Sequence, residues 1–400
     1  MTRSKLHIIF FLLAFPAITQ AQEAMDKQVK QKDLLDVFSR LIKGKAEKHV
    51  ESRTDTTIND NFSFSILPAV GYTLQTGLAG LISANVTWHS PNYPQQKVSA
   101  VTSAVTYTQY NQIMWISQWT VWGKSNKYNY PGELRLMKYP QYTYGIGSAT
   151  PSDGKYMLDY AYLRLYGDML RQLGYGIYGG IGYRLDYHWG IEQEPKGPAP
   201  TDFDRYGYAT RSVSSGIAFN LLMDTRDNPI NPRKGTYAKL VCRVNPNWLG
   251  SDSKWSSLNF DFRKYISIKP GKQTLAIWSY NWLTLSGDPP YLDLPSLGWD
   301  INNNTGRGYI QSRFMGKQML YAEAEYRFDI TRNGLFGAVL FANAHGFTDW
   351  PSGRFTKLNP GGGGGLRIRL NKKSGTNIAV DYGFGLDGSR GLFVNLGEVF

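Results

Sequence analysis

The run Leu320-Tyr321-Ala322-Glu323-Ala324-Glu325-Tyr326-Arg327-Phe328 changes chemical character at every step. Successive side chains of an extended strand point to opposite faces, so Leu320, Ala322, Ala324, Tyr326 and Phe328 share one face and Tyr321, Glu323, Glu325 and Arg327 the other. One face suits lipid and the other suits water. The pattern recurs in Thr376 to Gly385, where Ile378, Val380, Tyr382 and Phe384 oppose Ala379 and Asp381, and in Leu366-Arg367-Ile368-Arg369-Leu370. Charges at every second position cannot all be buried against a second sheet without partners, whereas a sheet closed around a water-filled lumen accommodates them. The texture holds from Asn61 to Phe400 and divides into about sixteen strands, roughly 21 residues for each strand with its turn. The predicted fold is all-β: a transmembrane antiparallel β-barrel over residues 61–400, whose even strand count puts both chain ends on the periplasmic side.

Composition agrees with a barrel and argues against a soluble enzyme. Aromatic residues make up 14% of the chain and glycine is abundant, yet mean hydropathy is negative. A barrel shows its aromatics in girdles at both membrane interfaces while its polar lumen lowers the average. The formal charge of +13 has two readings, anionic lipid or lipopolysaccharide at the rims and plain loop solubility; export argues against nucleic acid.

Export is written at the start of the chain. Thr2-Arg3-Ser4-Lys5, the apolar stretch Ile8 to Ile18 and Thr19-Gln20-Ala21 follow the charged, apolar and small-residue order of a signal peptide, residues 1–21. No later segment has the roughly 18 apolar residues a spanning helix needs. In residues 22–60, Leu34, Leu35, Phe38, Leu41 and Ile42 recur at helical spacing. Lys32 to Lys45 reads as a short amphipathic helix in the periplasm, with an unstructured leader as the alternative. Tight turns such as Arg332-Asn333-Gly334 contrast with excursions expected outside the cell, Pro140 to Gly154, Gly190 to Asp204 and Gly287 to Lys317. Gly361 to Gly365 reads either as flexible filler or as a strand approached closely by another backbone.

Catalytic and metal chemistry find little support. His7, His49, His89, His188 and His345 form no metal-spaced pair with one another or with Cys242. Asp186-Tyr187-His188 is the one local arrangement that a hydrolase could use, against the ordinary reading of polar lumen residues. No glycine-rich phosphate loop joins a strand to a helix, so no cofactor is expected.

Three stretches carry a family likeness. Asp224-Thr225-Arg226-Asp227 through Pro232-Arg233-Lys234-Gly235 follows an Asp-x-Arg-Asp-x-x-x-x-Pro-x-x-Gly pattern, in which proline and glycine fix a turn and Asp224, Arg226 and Asp227 can pair to stiffen it. Arg307-Gly308-Tyr309 lies in the long loop before the Leu320 to Phe328 strand. The chain ends Gly397-Glu398-Val399-Phe400, an aromatic terminus with Leu392, Val394 and Leu396 on its own face. Together these resemble the BamA/TamA-type barrels, the bacterial surface antigen family of the outer membrane.

The resemblance implies that Arg307 enters the lumen and pairs with the inward Glu325. Asn343 stands where the family commonly has an aspartate, which removes one expected charge. Gly397 resembles the glycine that kinks the last strand and loosens its pairing with the first, near Phe62 to Tyr72. The periplasmic POTRA domains usual in the family do not fit in residues 22–60. Expected partners are outer-membrane lipid and lipopolysaccharide, client outer-membrane proteins, and periplasmic or lipoprotein components. The implied function is protein insertion or translocation, or lipid handling, through a weak seam and without covalent chemistry. A passive pore or structural barrel is the rival.

Overall fold

The computed structural model describes residues 31–34, 36, 56–59, 62–90, 92, 96–194, 200–372 and 374–400. The signal peptide and most of the expected Lys32 to Lys45 helix lie outside them. Of that helix, Leu34 and Asp36 are helical. Asp33 caps them, its carboxylate accepting from the Asp36 amide at 2.8 Å while Asp36 accepts from the Asp33 amide at 3.2 Å.

Sixteen antiparallel strands close into one barrel. In chain order they are β1 (Phe62–Thr73), β2 (Gly77–Trp88), β3 (Ser99–Thr108), β4 (Ile113–Trp122), β5 (Tyr128–Lys138), β6 (Tyr156–Gly174), β7 (Ile177–Glu194) and β8 (Arg211–Asp224). They continue as β9 (Gly235–Asn245), β10 (Trp255–Lys269), β11 (Gln273–Gly287), β12 (Gln318–Asp329), β13 (Phe336–Asp349), β14 (Asn359–Asn371), β15 (Thr376–Phe384) and β16 (Arg390–Leu396). Three short strands, Thr56–Asn59, Gln141–Thr143 and Arg354–Phe355, flank this wall. Each barrel strand pairs with its neighbours in sequence, and β16 meets β1 to close the circle.

The alternation read from β12 holds in space. Leu320 faces outward at 44% exposure, while Tyr321, Glu323, Glu325 and Arg327 are buried inside the barrel. Exposed Val70, Leu78, Ile82, Val105, Leu165, Ile181, Phe219 and Leu340 continue the apolar outer surface around the wall. Gly361 to Gly365 lie within β14, so the close-approach reading describes them: a Cβ on Gly363 would stand 2.1 Å from the Tyr382 carbonyl oxygen of the next strand.

Two expectations need correction. The excursion placed at Gly190 to Asp204 begins later, because residues 190–194 still pair within β7; after residues 195–199, a short helix Asp202–Gly207 follows, boxed by Thr201 and Asp204. The lumen is also not simply water-filled. The connection 288–317 folds into it and contributes Leu297, Tyr309 and Phe314 to a buried cluster with Trp278, Tyr321, Phe347 and Phe400. A cavity of about 420 Å³ remains beside this loop, lined by Arg164, Arg243, Trp282 and Trp299 among others. Inward charges find mostly each other rather than bulk water.

Candidate functional site: the lumenal loop and the seam

The loop 288–317 is built to enter the barrel. The Asp300 carboxylate accepts from the amides of Asn302, Asn304 and Thr305 at 3.2, 2.9 and 2.7 Å, folding the tip on itself. Gly308 has φ +106°, and a Cβ there would stand 2.6 Å from the Phe384 carbonyl oxygen, so only glycine passes this close to the wall. Tyr309 then locks the passage, donating to the Pro360 carbonyl at 2.6 Å and accepting from the Leu386 amide at 2.8 Å.

This geometry delivers Arg307 to a set of carboxylates. Its guanidinium bonds Asp381 of β15 at 2.7 Å, together with Glu323 and Glu325 of β12, and lies 3.7 Å from the Phe341 ring centroid. Glu325 also pairs with Arg327, while Arg367 bonds Asp381 and reaches Glu398 at 2.8 Å. Asn343 carries no charge to this set; its amide donates to the Arg307 carbonyl at 3.0 Å and so holds the backbone instead. The resemblance pointed to Glu325 alone. Glu323 and Asp381 were visible in sequence only as inward positions of alternating strands, and nothing local marked them as partners of a loop arginine.

The second motif is a hairpin between β8 and β9. Arg226 grips Asp224 with two hydrogen bonds, at 2.9 and 2.8 Å, and lies over Tyr237. Asp227 accepts from the amides of Arg233 and Lys234 at 3.0 and 3.2 Å. Gly235 has φ +110° and Thr225 oxygen at its back, 2.3 Å from where a Cβ would sit. Pro232 turns its carbonyl toward Arg327, 3.5 Å away. Asn228 and Asn231 donate to the carbonyls of Ser374 and Gly375 at 3.0 and 3.1 Å, so the hairpin reaches the turn between β14 and β15.

The chain terminus departs from expectation. The alternation placed Phe400 on the outer face with Leu392, Val394 and Leu396. Instead β16 stops at Leu396, Gly397 takes φ +99°, and the last residues turn into the lumen. Phe400 stacks on Trp278 with centroids 5.0 Å apart, and Glu398 joins the arginine network. A positive-φ glycine breaks the period of two, and parity cannot be counted across it.

At the seam, β16 and β1 share one register pair, Val394 with Tyr72. The short strand Thr56–Asn59 pairs with residues 62–64 of β1. Because β2 takes the opposite edge of β1 along its whole length, that short strand lies on the seam side. Between these two contacts, residues 65–71 of β1 pair with β2 alone among the described residues.

The catalytic candidates are engaged otherwise. Asp186 accepts from Tyr166 at 2.7 Å and pairs with Arg164 and Arg243, and His188 stacks on Tyr162 with centroids 4.2 Å apart. Among the described residues no group of three His, Cys, Asp or Glu side chains could hold a metal ion.

A sixteen-stranded lipid-facing barrel with a loop driven into its lumen defines an outer-membrane β-barrel protein. The model of the Omp85 superfamily domain matches residues 183–392, and the chain belongs to that superfamily. Among solved structures, BamA from Haemophilus ducreyi lacking POTRA domains 1-3 aligns with TM-score 0.57 at 15% identity, over 84% of this chain and 70% of that one. CdiB from Acinetobacter baumannii aligns with TM-score 0.54 at 10% identity, over 85% of this chain and 60% of its own. CdiB from Escherichia coli gives 0.50 at 9% identity, over 84% and 62%. This chain thus spans less than two thirds of either CdiB chain. No curated protein matches the sequence.

Proposed function

We propose that this barrel assists insertion of client proteins into the outer membrane by opening its seam and templating a strand on β1. The observation that carries the reading is the single register pair between β16 and β1. A barrel held by full pairing has no edge to offer, whereas residues 65–71 of β1 present unpaired backbone groups that another strand can satisfy. Strand length adds a second effect. The seven residues of β16, at about 3.4 Å each and tilted about 40°, rise roughly 18 Å, short of the roughly 25 Å apolar band of such barrels. Lipid beside the seam is thinned, which lowers the barrier to inserting a strand there. Arg307, Glu325 and Asn343 hold the loop so that the wall keeps its shape while the seam opens, and the Asp224 to Gly235 hairpin stiffens the periplasmic rim. Client outer-membrane proteins, lipid and periplasmic or lipoprotein components are the proposed partners.

The test is a cysteine pair at Tyr72 and Val394, compared with a pair at Ser279 and Ala322 in the continuous wall, where β11 and β12 are in register. In cells depleted of the native protein, the crosslinked seam should fail to restore the outer-membrane proteome and the crosslinked wall should succeed. Equal rescue by both would favour a passive pore.

A further inference from the structure

The rim of the periplasmic mouth holds a second charge cluster that the lumenal network does not absorb. Arg233 of the hairpin, Lys272 of the turn between β10 and β11, and Arg369 of β14 line one small cavity together with Asp329 and Asn377. Arg327, Arg367 and Glu398 also border it, but the two arginines and Glu398 are paired within the inner network. Outside that network, three cations face Asp329, whose nearest contact to Arg233 is 3.9 Å. Asp33 also faces Arg369, with its carboxylate already engaged by the amides of Lys372 and Asp36. Positive charge remains in excess at a partly enclosed site.

Two buried polar atoms in the same place lack partners. The Arg369 Nε donor and the Asn377 Oδ1 acceptor make no hydrogen bond, although the two residues are direct cross-strand partners of β14 and β15. Their side chains therefore point the same way, a few ångströms apart. Leaving a buried donor and acceptor both unmade is costly, so an occupant that serves both is favoured. The cavity offers about 30 Å³, room for about two water-sized centres at roughly 10–15 Å³ each. Chloride satisfies the donor and the excess charge but not the acceptor. Water satisfies both atoms but not the charge. A hydrogen phosphate group satisfies all three, its oxygens accepting from arginine and its hydroxyl donating to Asn377.

We propose that the periplasmic mouth carries a binding site for a phosphate group, seated between Arg233, Lys272 and Arg369. The group is either free phosphate or the phosphate of a phospholipid headgroup reaching over the rim from the inner leaflet.

The full chain in zwitterionic or amine-oxide micelles is titrated calorimetrically with inorganic phosphate, and separately with chloride at matched ionic strength. In a second arm, micelles are doped with phosphatidylglycerol or with a phosphate-free galactosyl diacylglycerol, and retained lipid is read by native mass spectrometry. Variants are Arg369→Gln, Arg233→Gln in the turn outside the wall, and Arg390→Gln at the far rim as a control. Saturable phosphate binding, weakened at least about tenfold by either rim variant and unchanged in Arg390→Gln, supports a free-phosphate site. Phosphatidylglycerol retention lost in the same variants, without binding of inorganic phosphate, supports the lipid source. Equal responses to phosphate and chloride, no binding in either arm, or binding indifferent to both rim variants would overturn the proposal.

Discussion

Arg307→Ala should destabilise the barrel chiefly through one carboxylate. Around the loop tip, Arg307, Arg327 and Arg367 face Glu323, Glu325, Asp381 and Glu398. When Arg307 is removed, Glu325 keeps Arg327 and Arg367, and Asp381 keeps Arg367. Glu323 keeps only the Tyr321 hydroxyl. It is fully enclosed, so it becomes a buried charge without a cation. Breaking a buried pair in this way costs about 3–5 kcal/mol, most of it the stranded partner rather than the lost attraction. Urea unfolding in micelles, followed by the heat-modifiable gel shift, measures the loss. The reasoning makes a sharper statement about repair. Glu323→Gln in the Arg307→Ala background removes the stranded charge, keeps an acceptor for Tyr321, and should recover more than half of the loss. Asp381→Asn in that background should recover little, since Arg367 already holds Asp381. Stability of Arg307→Ala within about 0.5 kcal/mol of wild type, or equal rescue by the two second-site changes, would refute the argument.

Three further outcomes are expected. Asp293 in the loop is buried against Asp186, with Ser214 donating to it at 2.6 Å and Arg243, Arg164 and His188 around it, and burial followed by the Asp186 charge pushes its pKa up to about 7. An acid raised in the folded state from 3.8 stabilises most below its unfolded value and loses that contribution as pH rises through about 7; wild type should therefore melt below Asp293→Asn at pH 8 and approach it near pH 4, and a pH-independent difference would contradict this. Gly383→Ala places a Cβ 2.6 Å from the Gly308 amide nitrogen, so it should loosen the loop and raise protease cleavage within residues 288–317, with β15 itself preserved by circular dichroism. Phe400→Ala removes a ring that is 4% exposed and stacked on Trp278; a loss of about 3 kcal/mol in urea unfolding is expected, and a loss near zero would mean that the last residues do not stay in the lumen.

How much of this was legible beforehand depends on whether a feature is local. The period of two in β12 is a property of adjacent residues, and it yielded the wall, the inward face and the identity of Glu323, Glu325 and Asp381 as lumenal groups. The pairing of those groups is not local. Asp381 is 74 residues from Arg307, and only closure of the sheet brings β15 beside β12's loop; the family resemblance supplied Glu325 because that pairing recurs, but Asn343 masked where the remaining charge had gone. Asn343 gave up a carboxylate to the network and took over the Arg307 carbonyl, while Glu323 and Asp381 supply the charge from strands on either side.

The failure at Phe400 has a different cause and bears on the seam. Counting by twos from Leu392 puts Phe400 outside, and it would be there if the strand ran on. Gly397 ends the count, and the same residue sets how far β16 can run along β1. Beyond it Glu398 finds Arg367 and Arg327, and Phe400 finds Trp278, so the interactions that draw the terminus inward are ones a continued outer strand could not make. Inward pull and short seam are therefore coupled: a change that straightens residue 397 should lengthen the β16–β1 ladder at the expense of the Glu398 ion pairs. Gly397→Val, whose β-branched side chain disfavours positive φ and favours strand, tests this coupling. It should slow cysteine crosslinking between Phe400 and Trp278 positions while strengthening resistance of the barrel to urea at the seam. If crosslinking inside the lumen is unchanged while the seam tightens, the two are independent and the short seam has its origin elsewhere.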